Sequence, residues 1–273
     1  MPRRAPREVQ KKSRAKQQLG EQAELMRFAR QCVTTDLLLG VAEVPLRAGA
    51  TTTLGSRPDT APLSAHSSHV SAAAIVSSRT CDDPSSALTA LLERHDRECP
   101  HCTTTTFHTK TVFGEGDPRA SLMFVGEAPG ETEDQLGRPF VGKAGQKLDE
   151  MIAAIGFKRE DVYIANVLKS RPPNNRAPLQ HEVDACGPYL AEQIRIIQPT
   201  VIVTLGGPAT KLILRTELGI TRLRGIWGEY RDADIAIAVM PTWHPAYVLR
   251  NYTQETRREV WSDLQAVLAR LRA

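Results

Sequence analysis

Apolar runs alternate with amphipathic stretches from about residue 85 to the end of the chain. Four of the runs are short and almost wholly apolar, which is typical of strands buried on both faces. They are Ser121–Val125, Val162–Val167, Thr200–Leu205 and Ile235–Met240. The stretches beside them predict helices at Lys143–Ile155, Leu179–Gln198, Pro208–Arg215 and Thr253–Leu271. This alternation favours the α/β class, as a three-layer α/β/α sandwich around a central four-stranded parallel sheet.

The first third of the chain has a different composition. Residues 1–45 form a basic extension in which Arg7–Leu39 is compatible with a helix. Residues 46–87 are rich in Thr, Ser, Ala, Pro and Gly, a composition that buries too little apolar surface to hold a core. We expect this segment to be a largely disordered linker and the globular domain to span residues 88–273.

The positive charge of the chain is unevenly distributed. The formal net charge is +4, and residues 1–88 carry the whole excess, with 12 Lys/Arg against 8 Asp/Glu. A formally neutral domain must bind nucleic acid through a local basic patch rather than through bulk charge. The candidates for such a patch are Lys169, Arg171, Arg176, Arg222 and Arg224.

The cysteines and the apolar runs indicate the compartment. Five cysteines are an odd number, and Cys99-Pro100-His101-Cys102 has the spacing of metal ligands, which favours a reducing environment over a disulfide framework. No run approaches the roughly 18 apolar residues of a membrane span, and the N-terminal residues lack the apolar segment of a signal peptide. We expect a cytoplasmic, monomeric protein with no membrane partner.

The segment Val125–Asp134, which follows the first predicted strand, is the most informative in the chain. It places exposed backbone amides and acidic side chains at the carboxyl end of a strand, where open α/β sheets bind ligands. The amides belong to Gly126, Ala128 and Gly130, and the carboxylates to Glu127, Glu133 and Asp134. Amides of this kind can stabilise a developing anion, and a carboxylate can orient a water molecule. The alternative is an ordinary strand-to-helix turn with surface acids.

Two further motifs accompany this turn. Gly137–Gly145 lacks the spacing of a Walker motif, so we reject nucleotide triphosphate binding, although the helix that begins at Lys143 can contact a DNA phosphate. Trp243–Arg250 places His244 in a loop held by a proline, at the same edge of the predicted sheet. A neutral imidazole at that edge can donate a hydrogen bond to an oxygen on which negative charge builds.

These three motifs, in this order, resemble the iron–sulfur uracil-DNA glycosylases, known as family 4, over about residues 88–271. The resemblance implies a monofunctional hydrolase that flips uracil out of DNA and breaks the N-glycosidic bond, which initiates base excision repair. It makes Glu127 and His244 catalytic, has Phe140 stack on the base, and has Asn166 read its edge. Gly126 and Ala128 complete the predicted base pocket.

The resemblance also implies contacts with DNA. The loop after Pro245 acts in this family as a wedge that enters the duplex, so Leu249 fills the stack and Arg250 holds phosphate. Ala246 stands where serine is common in the family. Lys143, Arg171 and Arg176 are the other expected contacts with the DNA backbone.

The family carries a [4Fe–4S] cluster on four cysteines, and this chain matches three of them, Cys99, Cys102 and Cys186. The expected third cysteine is Ser170, a harder and more basic ligand than a thiolate. We favour a cluster, with Ser170 as a fourth ligand or with a substitute for it. The substitutes are Cys81, His95 and His101; three cysteines alone, a zinc ion held with a histidine, or no metal also stay open. Cys32 and Cys81 are expected to be free thiols.

Three other functions were weighed. A non-catalytic DNA-binding protein would retain the fold without uracil release, and a glycosylase for another deaminated base would differ in its pocket. A covalent uracil-trapping relative carries a basic insert ending in histidine after the second strand. In this chain no histidine precedes His181 in that loop, which argues against the covalent type.

Overall fold

The computed structural model describes residues 83–273. The predicted helix Arg7–Leu39, most of the predicted linker, and Cys32 and Cys81 lie outside these residues. The first described helix, α1 (Pro84–Glu98), starts at a proline, which is favoured at the first turn of a helix. It therefore begins ahead of residue 88, where the domain was predicted to start.

A single six-stranded sheet forms the centre of the described part. Its strands are β1 (Glu115–Gly116), β2 (Leu122–Gly126), β3 (Tyr163–Asn166), β4 (Val201–Leu205), β5 (Gly228–Asp232) and β6 (Ile235–Thr242). They lie in the order β1-β3-β2-β4-β6-β5. The four inner strands are parallel, which confirms the predicted central sheet. The two edge strands are antiparallel and were not predicted, because β1 has two residues and β5 is largely polar.

Eight α-helices are present among the described residues. Besides α1 they are α2 (Glu131–Leu136), α3 (Lys143–Ala154), α4 (Gln180–Ile197), α5 (Gly207–Leu214), α6 (Ile220–Leu223), α7 (Pro245–Arg250) and α8 (Gln254–Leu271). The four predicted helices correspond to α3, α4, α5 and α8, with ends that differ by at most one residue. Helix α1, of 15 residues, was not predicted. The short helices α2, α6 and α7 were not predicted either, since four to six residues carry too little periodicity to be recognised.

The core consists of two apolar layers, one on each face of the sheet. Along β2, Met123 and Val125 pack into the layer that contains residues of α1, α4 and α5. Leu122 and Phe124 pack on the opposite face with residues of α3 and α8. Because successive side chains of a strand point to opposite faces, this division confirms the three-layer sandwich.

The parallel pairing brings the ends of the inner strands together at one edge. Gly126, the last residue of β2, pairs with Asn166, the last residue of β3. On the other side, Leu205 at the end of β4 pairs with Thr242 at the end of β6. The turns that follow these four residues therefore meet at the carboxyl edge of the sheet, where α/β proteins bind ligands. Within residues 83–273, none of the helices has the length and apolar character needed to cross a membrane.

Candidate active site

A cleft with a volume of about 700 Å³ opens at the carboxyl edge of the sheet. It brings together most of the predicted site residues: Glu127, Ala128, Phe140, Asn166, Arg176, His244 and Arg250. Gly126 lies at its base, against Phe140 and Asn166. Lys143, Arg171 and Leu249 do not line the cleft.

Glu127 follows β2 directly and lines the cleft. Its carboxylate has no hydrogen-bond partner among residues 83–273, and burial raises its pKa. A partly buried carboxylate that no other group engages is free to accept a hydrogen bond from water or to face a developing positive charge. Of the three carboxylates predicted for this site, Glu127 is therefore the one that no other group engages.

The other two predicted carboxylates, Glu133 and Asp134, are bound to backbone amides. Glu133 Oε1 accepts hydrogen bonds from the amides of Val141 at 2.9 Å and Gly142 at 2.8 Å. Asp134 Oδ1 accepts from the amide of Thr109 at 2.7 Å. Both side chains therefore order the loops around the cleft, and Glu133 also lines it.

Phe140 is held in an unusual backbone conformation. Its φ is +48°, a left-handed value that bulky residues rarely adopt and that is common at functional sites. A Cβ on Gly145, in α3, would lie 1.9 Å from the carbonyl oxygen of Phe140, so this position requires glycine. Arg159 donates to the same carbonyl at 3.1 Å and also to the carbonyl of Pro139.

Arg159 was not identified from the sequence. Besides the two carbonyls, it binds Glu115 and Asp149, each at 2.7 Å, and its side chain is 20% exposed. It fixes the loop that presents Phe140 to the cleft. Its position in a short 3₁₀ turn, at a distance in sequence from every motif, carried no signal of this contact.

Gly126 and Asn166 form the base of the cleft. A Cβ added to Gly126 would lie 2.3 Å from Phe140 Cζ and 2.4 Å from Asn166 Oδ1, so only glycine allows these side chains to converge. Asn166 is buried, and its Oδ1 has no hydrogen-bond partner. A buried polar atom without a partner costs about 1–3 kcal/mol, which indicates that a ligand completes its hydrogen bonding.

His244 is a neutral hydrogen-bond donor. Its Nδ1 accepts from the amide of Ala246 at 3.1 Å, at the start of α7, so the ring proton is on Nε2. Burial, and next the charge of Arg250, lower its pKa to about 4. Its ring lies 5.6 Å from that of Phe140, centroid to centroid.

Gly206 brings the end of β4 close to His244, and it was also missed. A Cβ on Gly206, whose φ is +87°, would lie 3.1 Å from His244 Cβ. The pair Gly206-Gly207 directly after a predicted strand was a signal that could have identified it. Trp243, next to the histidine, stacks on Tyr247 and donates to Glu259 at 2.6 Å.

Two of the predicted DNA contacts are structural. Lys169 is fully buried, where its Nζ donates to Asn166 O at 2.9 Å and to Gln193 Oε1 at 2.6 Å, and burial lowers its pKa to about 7. Arg224 donates to Asp263 and to the carbonyl of Glu259. Neither side chain belongs to a surface patch, because both are engaged inside the domain.

The other basic candidates lie nearer to the surface. Arg176 forms two hydrogen bonds with Glu182, at 2.8 and 2.6 Å, and Arg171 binds Asn175 at 2.8 Å. Lys143 and Arg250 are exposed, and 41% of Leu249 is exposed. An exposed leucine next to an arginine at the rim of the cleft has the composition expected of a wedge.

A second group of side chains lies beneath the loop that follows β3. The ligand atoms of Cys99, Cys102, Cys186 and His95 all lie within 4.8 Å of one another, and all four residues are buried. Cys186 Sγ lies 3.8 Å from Cys99 Sγ and 3.6 Å from Cys102 Sγ. These residues can hold a metal centre.

Two more candidates for the fourth ligand, Ser170 and His101, lie among the described residues. Ser170 is buried beside the group, and its Oγ lies 3.4 Å from Cys102 Sγ. His101 stands apart from the four ligand atoms and has its Nε2 3.9 Å from Glu182. Cys81 lies outside the described residues.

Comparison with known proteins agrees with this geometry. The profile of the uracil DNA glycosylase superfamily matches residues 113–265. The chain is 44% identical over 179 residues to the type-4 uracil-DNA glycosylase of Thermotoga maritima, and the aligned region covers 65% of this chain and 92% of the relative. It is 51% identical over 162 residues to the type-4 uracil-DNA glycosylase of Sulfurisphaera tokodaii, covering 56% and 72%. Identity to the type-5 uracil-DNA glycosylase of Pyrobaculum aerophilum is 32% over 163 residues, covering 53% and 71%.

Proposed function

The chain belongs to the uracil-DNA glycosylase superfamily, and we propose that it removes uracil from DNA by flipping the nucleotide into the cleft and hydrolysing the N-glycosidic bond. One observation carries the assignment of the site. Glu127, Phe140, Asn166 and His244, which come from four separate segments of the chain, converge in a single cleft. Asn166 offers a buried oxygen without a partner, His244 is neutral, and Phe140 presents its ring.

Recognition of the base depends on Phe140 and Asn166. A flipped base is held by stacking on one face and by hydrogen bonds to its Watson–Crick edge. Phe140 supplies the ring, and the unpartnered Oδ1 of Asn166 can accept the N3–H of uracil. The side-chain amide can also donate to O4. Cytosine presents an unprotonated N3 and an amino group at these positions, so this arrangement disfavours it.

Bond cleavage depends on His244 and Glu127. When the glycosidic bond breaks, the electron pair stays with the base, which leaves as an anion. His244 remains neutral and donates from Nε2 to the uracil O2 on which this charge develops. Glu127, when ionised, orients water towards the anomeric carbon of the sugar and offsets the positive charge that grows there. Water adds to that carbon through its oxygen and releases a proton, which balances the charge of the departing uracil anion and leaves an abasic site.

DNA is held by exposed groups at the rim of the cleft. Leu249 enters the stack vacated by the flipped nucleotide, and this apolar contact offsets part of the few kcal/mol lost in unstacking. Arg250 and the N-terminus of α3 at Lys143 bind phosphates. Arg171 and Arg176, on the loop after β3, approach the phosphate backbone of the same DNA strand.

The group of three cysteines and His95 holds a metal centre, which we assign as a [4Fe–4S] cluster. The donors fit such a group, because thiolates and imidazole nitrogens both ligate iron–sulfur clusters, and three buried thiols lie here beside one buried imidazole nitrogen without a hydrogen-bond partner. A cluster in this place is structural, since its ligands lie outside the cleft. It joins the end of α1 to α4, on either side of the loop that carries Arg171 and Arg176.

A single zinc ion is the second candidate for this centre, and the spacing of the sulfurs favours it. Tetrahedral zinc with Zn–S bonds of about 2.3 Å places its thiolates about 3.8 Å apart, close to the 3.8 and 3.6 Å observed. In a four-iron cluster each ligand binds a different iron, so the sulfurs must lie farther apart. Measuring iron, acid-labile sulfide and zinc in the purified protein separates the two.

The experiment that tests the function is single-turnover release of uracil from labelled single- and double-stranded oligonucleotides, with alkali to reveal abasic sites. Matched oligonucleotides with thymine or cytosine at the same position are the controls. We expect cleavage at uracil alone. Retained DNA binding without cleavage would refute the catalytic proposal and support a binding protein, and cleavage only at another deaminated base would refute the assigned specificity.

A further inference from the structure

His95 lies on the last turn of α1, one turn before Cys99. The helical spacing of i and i+4 places both side chains on the same face. The imidazole is fully buried, and the rings of Tyr189 and Phe113 pack against it at centroid distances of 4.9 and 5.7 Å. Its position is therefore set by packing, with a ring nitrogen among the three sulfurs.

The two ring nitrogens of His95 have different environments. Nδ1 lies 2.9 Å from Asp96 Oδ1, an arrangement that orients the ring and increases the basicity of the other nitrogen in metal-binding histidines. Nε2 is buried and has no hydrogen-bond partner. An aromatic nitrogen without a hydrogen-bond partner, next to three buried thiols, is the feature expected of a metal ligand.

Ser170 differs from His95 in both respects. Its hydroxyl already has a partner, because the Cys102 thiol is 3.4 Å away. A serine must also lose a much less acidic proton than a thiol before it can bind as an anion, whereas a neutral imidazole binds directly. When Cys102 is a metal-bound thiolate, the Ser170 hydroxyl can donate a hydrogen bond to its sulfur, an interaction that tunes such centres.

We propose that Nε2 of His95 is the fourth protein ligand of this metal centre, so that the chain uses a Cys3His donor set in place of the missing cysteine, with Ser170 as a hydrogen-bond donor to Cys102. The inference rests on the proposed metal centre and is independent of whether that centre is an iron–sulfur cluster or zinc. Both take thiolate and imidazole ligands.

The test compares four full-length proteins purified anaerobically: the parent, His95→Ala, Ser170→Ala, and His95→Ala combined with Ser170→Cys. Iron, sulfide and zinc per chain are measured before and after dialysis against a chelator. After dialysis, we expect His95→Ala to retain at least about tenfold less metal per chain than the parent, and Ser170→Ala to retain as much as the parent. The double variant should recover the parental content, because a fourth thiolate is restored. Parental content in His95→Ala, loss in Ser170→Ala, or no recovery in the double variant would each overturn the assignment.

Spectroscopy of the parent decides the matter if His95→Ala does not fold. For iron, pulsed EPR of the reduced cluster should show strong coupling to an imidazole nitrogen; for zinc, absorption at the zinc K-edge should show imidazole scattering. Absence of the nitrogen signal would refute the ligand. A parent that releases uracil but holds no metal would refute this inference and leave the proposed function intact. A parent that holds the metal but does not release uracil would refute the proposed function and leave this inference intact.

Discussion

Arg159 holds the loop that presents Phe140, and replacing it should impair uracil release more than folding. The guanidinium donates to the carbonyls of Phe140 and Pro139 and forms ion pairs with Glu115 and Asp149. The φ of +48° at Phe140 stores strain of about 1–3 kcal/mol. Once these donors are removed, the loop is free to relax towards a conformation in which the ring no longer stacks on the base.

The size of the effect follows from the two bonds to carbonyls. Hydrogen bonds from a charged donor contribute about 1.5–3 kcal/mol each. Removing the guanidinium destabilises the competing loop conformation as well as the native one, so only part of this free energy changes the balance between them. A net shift of about 2 kcal/mol, at about 1.36 kcal/mol per factor of ten, corresponds to a roughly 30-fold lower rate. Arg159→Lys retains the charge but not the planar fork, and we expect a smaller loss.

Arg138→Ala is the matched control. Arg138 binds the same carboxylate, Glu115, at 2.8 Å, but its side chain is 59% exposed, and such pairs contribute at most about 1 kcal/mol. The assay is single-turnover uracil release from a single-stranded oligonucleotide, with denaturant unfolding measured on the same samples. If Arg159→Ala cleaved as fast as Arg138→Ala, the positioning role of Arg159 would be refuted.

Three further outcomes are expected. Gly126→Ala should lower uracil release at least about tenfold while the protein still folds, because its Cβ would lie 2.3 Å from Phe140 Cζ; normal rates would contradict the proposed pocket. Glu127→Ala should lose far more activity than Ser170→Cys. The single-turnover rate of the parent should fall as the pH drops through the pKa of Glu127, which burial raises. If Glu127→Gln cleaved as fast as the parent, or lost rate with falling pH in the same way, the role of Glu127 would be excluded. His244 has a folded-state pKa of about 4 against 6.5 unfolded, so the unfolded chain binds the proton first and stability falls as the pH drops from about 6.5 to about 4, by at most about 3 kcal/mol. His244→Gln should lack this part of the dependence in urea titrations at each pH, and equal slopes would refute it.

The sequence by itself determined the parallel core of the fold. The inner strands and the helices α3, α4, α5 and α8 were predicted because burial on two faces produces apolar runs, and burial on one face produces helical periodicity. The 15-residue helix α1 was missed. The edge strands β1 and β5 and the short helices are held by their neighbours rather than by patterns of their own. No local signal could therefore reveal them.

The members of the cleft were also predicted from the sequence, although their states were not. Because parallel strands end at one edge of the sheet, residues that follow β2, β3 and β6 had to come close together. Which carboxylate stays free depended on how the following loop folds, since Glu133 is bound by backbone amides of that loop. The neutral state of His244 follows from its burial and from the hydrogen bond that the amide of Ala246 donates to it.

Only the tertiary structure separated buried charges from surface charges and ranked the metal ligands. Lys169 was predicted to contact DNA and is instead enclosed in the core. The sequence alone does not distinguish a buried lysine from an exposed one. His95 was one of several substitutes for the missing cysteine until the packing of α1 against α4 placed it beside Cys186. A sequence shows which metal-binding side chains are available. The distances between them, and the hydrogen bonds that occupy some of their atoms and not others, are set only when the chain folds.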